Sequence, residues 1–373
     1  MPNPTEVAEI RVDGQRYRDW LSVEVVWATG DPFCRFRFTC SEGVPLLKNW
    51  SEFRIRPGQF VDIFLAGQPA IINAMVLTRQ VAYTATHHGI EIAGVSRNGA
   101  AVFAGANTKT GEFRNATPLQ VIKKLYGMIG VGVKQIGKID NSSMHRFSIP
   151  PGQTIWGAIE PITRMAGATI GSAIDGTVLL GVGGGLSGDP LIEGVNILEG
   201  RELLSIKDGA GPDVTVAQRG ATDNESGPKV THEPFSKATN QIMQLFGGGG
   251  TYSARTTLME LPGLIANTAT RAGFEGAKRP DEMANVTITV QGWVMSNGSL
   301  WPHPMNGGTQ LHVDSVMLLL HEPLKLVKVT FTQDVRAGTR TTLELVRVVE
   351  GGIPADIRTE AEKAAQAGGG PIQ

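Results

Sequence analysis

Asn285-Val286-Thr287-Ile288-Thr289-Val290-Gln291 alternates apolar with polar side chains, and the period of two predicts a half-buried strand. Gly292-Trp293-Val294-Met295 follows, then Ser296-Asn297-Gly298-Ser299, where Asn-Gly supplies the positive φ values of a tight hairpin, then Leu300-Trp301. Further on, Leu324-Lys325-Leu326-Val327-Lys328-Val329 and Leu343-Glu344-Leu345-Val346-Arg347-Val348 repeat one pattern across a turn containing Gly338. In both, the alternation slips by one residue at the Leu-Val step, which a β-bulge accommodates while increasing local twist. Strongly twisted strands favour a barrel.

Working outward, the rest of the chain is strand-dense. Ser22 to Trp27, Phe33 to Cys40, Gln59 to Leu65, Ile71 to Gln80 and Gly89 to Val95 read as a first meander. After Asn98 to Asn107 the pattern changes. Thr117-Pro118 predicts a helix start, a hydroxyl cap with φ pre-set at the first helical position, and Leu119, Ile122, Leu125 and Ile129 recur at helical spacing. A second such unit starts at Thr154 with Ile155, Trp156, Ile159 and Met165 on one face, carries Pro161, which should kink it, and leads to a strand ending at Leu180.

Strand signals resume at Gly194 to Leu198, Leu203 to Lys207 and Val214 to Gln218. Gly220 to Lys229 and Gly247 to Gly250 read as loops, and Leu258 to Met283 has helical character around Leu264, Ile265 and Thr268. The expected fold class is mainly β with an α+β insertion. The expected domains are a first β-barrel over 1–100, an α+β insertion over 101–190, a second β-barrel from 191–240 with 285–350, a helical or loop insertion over 241–284, and a partly disordered tail over 351–373.

A chain of 373 residues exceeds what one core usually supports, and 41% hydrophobic content makes it globular. The 34 basic and 35 acidic residues leave a net charge of -1, so no global basic field holds nucleic acid by counterion release. No apolar run approaches the ~20 residues of a membrane helix, and Met1 to Ile10 lacks the pattern of a secretory signal, so no membrane insertion is expected. The two cysteines, Cys34 and Cys40, fall on one face of an extended strand, too far apart to bridge, and read as reduced core residues. The 47 glycines are scattered through turn positions without a repeat period.

Catalytic signals are sparse. Gly183-Gly184-Gly185-Leu186-Ser187-Gly188 formally fits a dinucleotide fingerprint with Asp208 downstream, but Asp189-Pro190 leaves no room for the helix that would hold a pyrophosphate. His87-His88 read as part of a turn, and as neighbours on a strand they would point to opposite faces and could not easily share a metal, while His303, His312 and His321 lack the carboxylate or cysteine partners of a metal site. Glu160 and Asp175, or Asp281 and Glu282, read as solvated charges rather than a glycosidase pair. Trp293 and Trp301 could stack on sugars, though a tryptophan pair beside a hairpin more often seals a barrel end or an interface. No catalytic residue, metal ligand or cofactor-binding residue is assigned, no cofactor is expected, and the chain reads as a non-enzyme. The alternatives of another class are a cell-wall hydrolase and a sugar-binding β-protein.

The order of pieces resembles the baseplate hub proteins of Mu-like contractile-tailed bacteriophages, a family related to late-control and tail-spike-hub proteins. The resemblance rests on Arg56-Pro57-Gly58-Gln59-Phe60 through Gly89-Ile90-Glu91-Ile92-Ala93-Gly94, on Asn115-Ala116-Thr117-Pro118-Leu119-Gln120-Val121-Ile122, and on Thr154-Ile155-Trp156 through Asp175-Gly176-Thr177-Val178-Leu179. It is nearest at Gln291-Gly292-Trp293 through Gly298-Ser299-Leu300-Trp301-Pro302, followed by Leu326-Val327-Lys328-Val329 and Thr342-Leu343-Glu344-Leu345. Pro161, Gly273 and Pro280 depart from it by interrupting helices. The resemblance implies a homotrimeric ring in which two similar β-barrel domains per chain alternate around an axis. Such a ring matches a sixfold tail tube to a threefold spike. The implied partners are further copies of the chain, the tail spike protein, tail tube or distal tube proteins and other baseplate proteins. DNA is implied only as passing cargo, and the implied location is the virion's tail baseplate. Hubs of tailocins and other contractile injection systems share these features.

Overall fold

The computed structural model describes residues 6–40, 55–84, 88–108, 111–181, 188–204, 214–218, 229–233, 257–261, 284–305 and 309–347. The chain begins with β1 (Ala8–Val12), β2 (Gln15–Tyr17), β3 (Ser22–Ala28), β4 (Arg35–Cys40), β5 (Phe60–Leu65), β6 (Gln68–Tyr83) and β7 (His88–Val95). A 3-10 helix, Arg97–Val102, leads into β8 (Glu112–Ala116), α1 (Pro118–Gly127), β9 (Val133–Gln135), β10 (Met144–Ser148), α2 (Ile155–Met165), β11 (Ile170–Ser172) and β12 (Val178–Leu180). Then come β13 (Leu191–Ile192), β14 (Ile197–Leu204), β15 (Val214–Gln218), β16 (Lys229–Glu233), β17 (Thr257–Leu261), β18 (Ala284–Gln291), β19 (Gln310–Ser315), β20 (Leu320–Asp334) and β21 (Gly338–Arg347).

The fold is mainly β. The strands expected for two separate β-units hydrogen-bond into one 13-stranded sheet with the order β14-β18-β21-β20-β3-β4-β7-β6-β5-β1-β2, and β13 and β19 attach beside β20. The path is open, with ends on β14 and β2. Its seam is the antiparallel ladder of β20 with β3, in register from Lys328 opposite Ala28 to Asp334 opposite Ser22. One apolar cluster spans both sides of that seam, from Ile10 and Phe38 to Ile288 and Leu345.

The expected slip in β20 is a bulge: the β20–β21 register shifts between Leu326 and Lys328, so Val327 is the extra residue. Buried residues fall on Leu324 and Leu326 before it and on Val329 and Phe331 after it. The displaced Val327 carbonyl accepts from the Thr29 N–H at 2.8 Å, which caps the seam where β3 ends. The matching slip in β21 is no bulge, since Asn285, Val286 and Thr287 pair without a shift with Val346, Leu345 and Glu344. Val346 is buried although it faces away from Leu345.

The hairpin after β18 forms, but with a different turn. Gly298 donates to the Met295 carbonyl at 2.9 Å and Met295 donates to Ser299 at 2.8 Å, while only Gly298 (φ 79°) lies in the left-handed region. This is the three-residue loop closed by a glycine bulge, in place of a turn with two positive φ values. Asn297 instead uses its carboxamide oxygen to accept from the Ser299 N–H at 2.9 Å.

The α+β insertion builds a core of its own from α1, α2 and three short strand pairings, with Ile122, Leu125, Ile155, Ile159, Phe147 and Val178 inside. Thr117 and Gln120 form a reciprocal capping box at α1, and Thr154 caps α2 through the Gly157 N–H. Pro161 removes the N–H that would reach the Gly157 carbonyl, and that carbonyl accepts from Gln153 Nε2 at 2.9 Å instead. The helix therefore continues through the proline from Ile155 to Met165.

Other expectations shift. The strands expected at Gly194 to Leu198 and from Leu203 start differently: Gly194 is a turn residue (φ 77°) and β14 runs unbroken from Ile197 to Leu204, while Ser205 to Lys207 lie outside the described residues. Leu258 to Leu261 is strand, not helix, pairing parallel to β15, because ladder hydrogen bonds override weak helical spacing. Lys229, expected to end a loop, opens β16. Leu264, Ile265, Thr268, the loop residues Gly220 to Pro228 and Gly247 to Gly250, and the tail fall outside the described residues. β1 and β2 were not foreseen.

Candidate assembly interface

The residues with chemical potential divide by burial. Cys34 and Cys40 are buried and free, as expected for reduced core cysteines. Trp293 and Trp301 are buried too, so neither offers a face to a sugar. Trp293 donates from Nε1 to the Thr332 carbonyl at 2.9 Å, and its N–H meets the carboxylate of buried Glu6 at 2.9 Å. The other Glu6 oxygen accepts from Thr339 Oγ1, fastening the segment before β1 onto the far half of the sheet.

Glu160 pairs with Arg164 one helical turn away, and Asp175 accepts from the Thr177 N–H at 2.9 Å. His312 and His321 are exposed on β19 and β20. Contrary to expectation, two histidines have the partners that the sequence seemed to deny them, Asp314 for His321 at 3.4 Å and Cys34 for His303 at 3.7 Å. These are pairs, and no group of three ligating side chains able to hold a metal occurs among the described residues. His87, Gly183 to Ser187, Asp208, Asp281 and Glu282 lie outside the described residues.

The Cys34–His303 contact belongs to a buried polar junction where three parts of the chain meet. Ser96 accepts from the Cys34 N–H at 2.9 Å and donates to Asn98 Oδ1 at 2.5 Å. Asn98 donates to the Pro32 carbonyl, and Ser172 on β11 donates within 3.1 Å of both Ser96 and Asn98. His303 Nδ1 accepts from the Met305 N–H at 3.2 Å, so the ring proton sits on Nε2 and faces the Cys34 sulfur. Burial holds His303 neutral by pulling its pKa down to about 3. Burial likewise pushes the Cys34 thiol up to about 12. An uncharged thiol is a poor nucleophile, so this pair is a structural contact.

Two exposed surfaces stand out. At the β19–β20 turn, Val316, Met317 and Leu319 are 79%, 81% and 87% exposed, and neighbouring Val195, between β13 and β14, is 76% exposed. The turn is nonetheless tightly held. Glu193 accepts from Ser315 Oγ at 2.7 Å and from the Met317 N–H at 2.9 Å, and Ser315 Oγ accepts from the Leu318 N–H at 3.2 Å. The hydrogen bonds from Ser315 and Met317 keep the Glu193 carboxyl below its ordinary range.

The second surface is the outer face of β1, β2 and β5. Arg11, Arg16 and Arg18 converge on one carboxylate, Glu9, which they cover to 5% exposure. Burial pushes the Glu9 pKa up, but hydrogen bonds from Arg11 and Arg18 outweigh it and the net shift is downward. Three guanidiniums share this one carboxylate, Asp62 on β5 stands opposite Arg11, and Arg11 stacks 3.7 Å from the Phe64 ring centre. Sequence reading missed both surfaces. Nothing in the apolar run Val316 to Leu320 marks it as exposed, and the charges at Glu9, Arg11, Arg16 and Arg18 mask the alternation of β1.

No family model matches the sequence. No curated protein matches it either. Solved structures do share the fold. The 43 kDa tail protein of prophage MuSo2 from Shewanella oneidensis superposes with a TM-score of 0.73 at 18% identity, covering 92% of this chain and 98% of that one. A tail protein from Neisseria meningitidis gives 0.69 at 19% identity, covering 93% and 97%. An Escherichia coli component of the type VI secretion system, itself similar to the T4 bacteriophage tail proteins gp27 and gp5, gives 0.56 at 10% identity, covering 93% and 79%.

Proposed function

We propose that this chain is a structural hub of a contractile phage tail baseplate, a homotrimeric ring that adapts a sixfold tail tube to a threefold cell-puncturing spike and lets DNA pass. The observation that carries this reading is the fold shared with a prophage tail protein and a second tail protein over more than nine-tenths of each chain. The continuous sheet adds a physical reason. If the two strand-dense halves that meet at the β20–β3 ladder serve as two β-units per chain, three copies offer six positions around an axis. In this reading each half of the sheet takes the part of one barrel domain, and function lies in shape, symmetry and surfaces rather than turnover.

The partners are then two further copies of the chain, the tail spike protein above which it sits, tail tube or distal tube proteins and other baseplate proteins. The location is the distal end of the tail. Among the described residues no helix is long and apolar enough to cross a membrane. A hub of a tailocin or other contractile injection system is the second reading, favoured by the fold shared with the secretion-system component. Gold-labelled antibodies against the chain, applied to intact tails, should mark a single site at the tip distal to the head or, in a tailocin, at the free end of the tube. Labelling along the tube, or on the sheath, would overturn the hub reading.

A further inference from the structure

We infer that the apolar tip at the β13–β14 and β19–β20 turns docks on the arginine-covered face of β1, β2 and β5 of a second copy of this chain, forming the contact that repeats around the ring. This inference rests on the ring reading above. An apolar turn left to solvent costs hydration free energy, and a turn serving only as a connection has no need of it. Here the turn displays Val316, Met317 and Leu319 while the Glu193 carboxylate and the Ser315 hydroxyl fix its backbone. A surface held in one shape before binding loses little entropy on docking.

The occupant follows from charge. Ionised Glu193 and part-exposed Asp314 stand at the base of the tip, giving it an acidic flank. On the same chain, Arg16 and Arg18 keep more than half of their side chains exposed around the Glu9 carboxylate, while Asp62 stands opposite Arg11. That face also offers an apolar floor in Val7, which is exposed, and Phe64 beneath Arg11. Arginine and aromatic side chains around an apolar centre are what protein interfaces enrich, and opposite charges on the rim fix the register. Tip and face are different surfaces, so the contact is head-to-tail, which closes only as a ring of more than two copies.

The experiment uses the full chain and begins with the solution mass of the unmodified protein. Met317→Glu combined with Leu319→Glu, and separately Arg16→Glu, should each weaken self-association at least tenfold in dissociation constant, with circular dichroism unchanged. Adding Asp314→Arg to Arg16→Glu should restore part of the loss. Independently of those variants, Met317→Cys combined with Arg16→Cys should give disulfide-linked trimers on oxidation, since the native cysteines are buried. A protein that stays trimeric in all the charge variants and forms no cross-link overturns this contact while leaving the ring intact. An unmodified chain that is monomeric at high concentration overturns the ring and the contact together.

Discussion

The seam between the two halves of the sheet and the joint between the sheet and the α+β insertion are built on opposite principles. At the seam, seven residue pairs of β20 and β3 form an uninterrupted ladder, and Trp27 packs edge-on to Phe331 with ring centres 4.8 Å apart inside one shared apolar cluster. At the joint, two separate apolar clusters meet through a small polar network, Ser96, Asn98 and Ser172 with the Cys34–His303 pair behind it. Apolar burial is additive and non-directional, so the seam should make the two β-halves one cooperative unit. A satisfied polar network depends on each of its members, so the joint should fix orientation while adding less stability.

The comparison breaks most readily at Trp27. Replacing Trp27 with Ala should destabilise the protein by about 3–5 kcal/mol, with both halves of the sheet lost in one urea transition. A variant that loses only β1 to β7 while Trp293 fluorescence stays native would mean that the halves fold separately. Asn98→Ala attacks the joint instead. It takes the acceptor from the Ser96 hydroxyl and the donor from the Pro32 carbonyl and should cost about 1–3 kcal/mol. Hydrogen exchange should then rise in α1 and α2 before it rises in β18 and β21.

His303 adds a pH dependence to the joint. Its folded pKa of about 3 lies below the ordinary value of 6.5, so the unfolded chain binds the proton first as pH falls. The stability it contributes is complete above pH 6.5 and declines toward pH 3 by about 1.4 kcal/mol per unit. In His303→Phe that part of the slope between pH 6.5 and 4.5 should vanish, as read by urea titrations at each pH. An unchanged slope would show that the buried imidazole does not set it. The smallest effect belongs inside the insertion, where Gln153→Ala orphans the Gly157 carbonyl beside Pro161. A loss of about 1 kcal/mol, confined to the insertion, should appear in its thermal transition.

What could be read from sequence was local. The caps at Thr117 and Thr154, the alternation of Val286, Ile288 and Val290, and the extra residue at Val327 all announce themselves within a few positions. The seam does not, because the Thr29–Val327 contact that closes it joins residues 298 positions apart. The His303–Cys34 pair spans 269 positions and was invisible for the same reason. Turn geometry was only half legible: Asn297-Gly298 marked a turn, yet side-chain bonding by Asn297 left Gly298 alone in the left-handed region. The apolar tip went unread because hydrophobicity predicts burial, whereas the chain turns at Leu319 (φ 54°) and leaves Val316, Met317 and Leu319 outside while Leu320 returns to the core.

Light scattering on the full chain across a range of concentrations tests the central claim most directly. A ring built from this fold should give a particle of three times the 39.8 kDa chain mass, stable to dilution into the micromolar range. A particle that stays at the mass of one chain at the highest attainable concentration would contradict it.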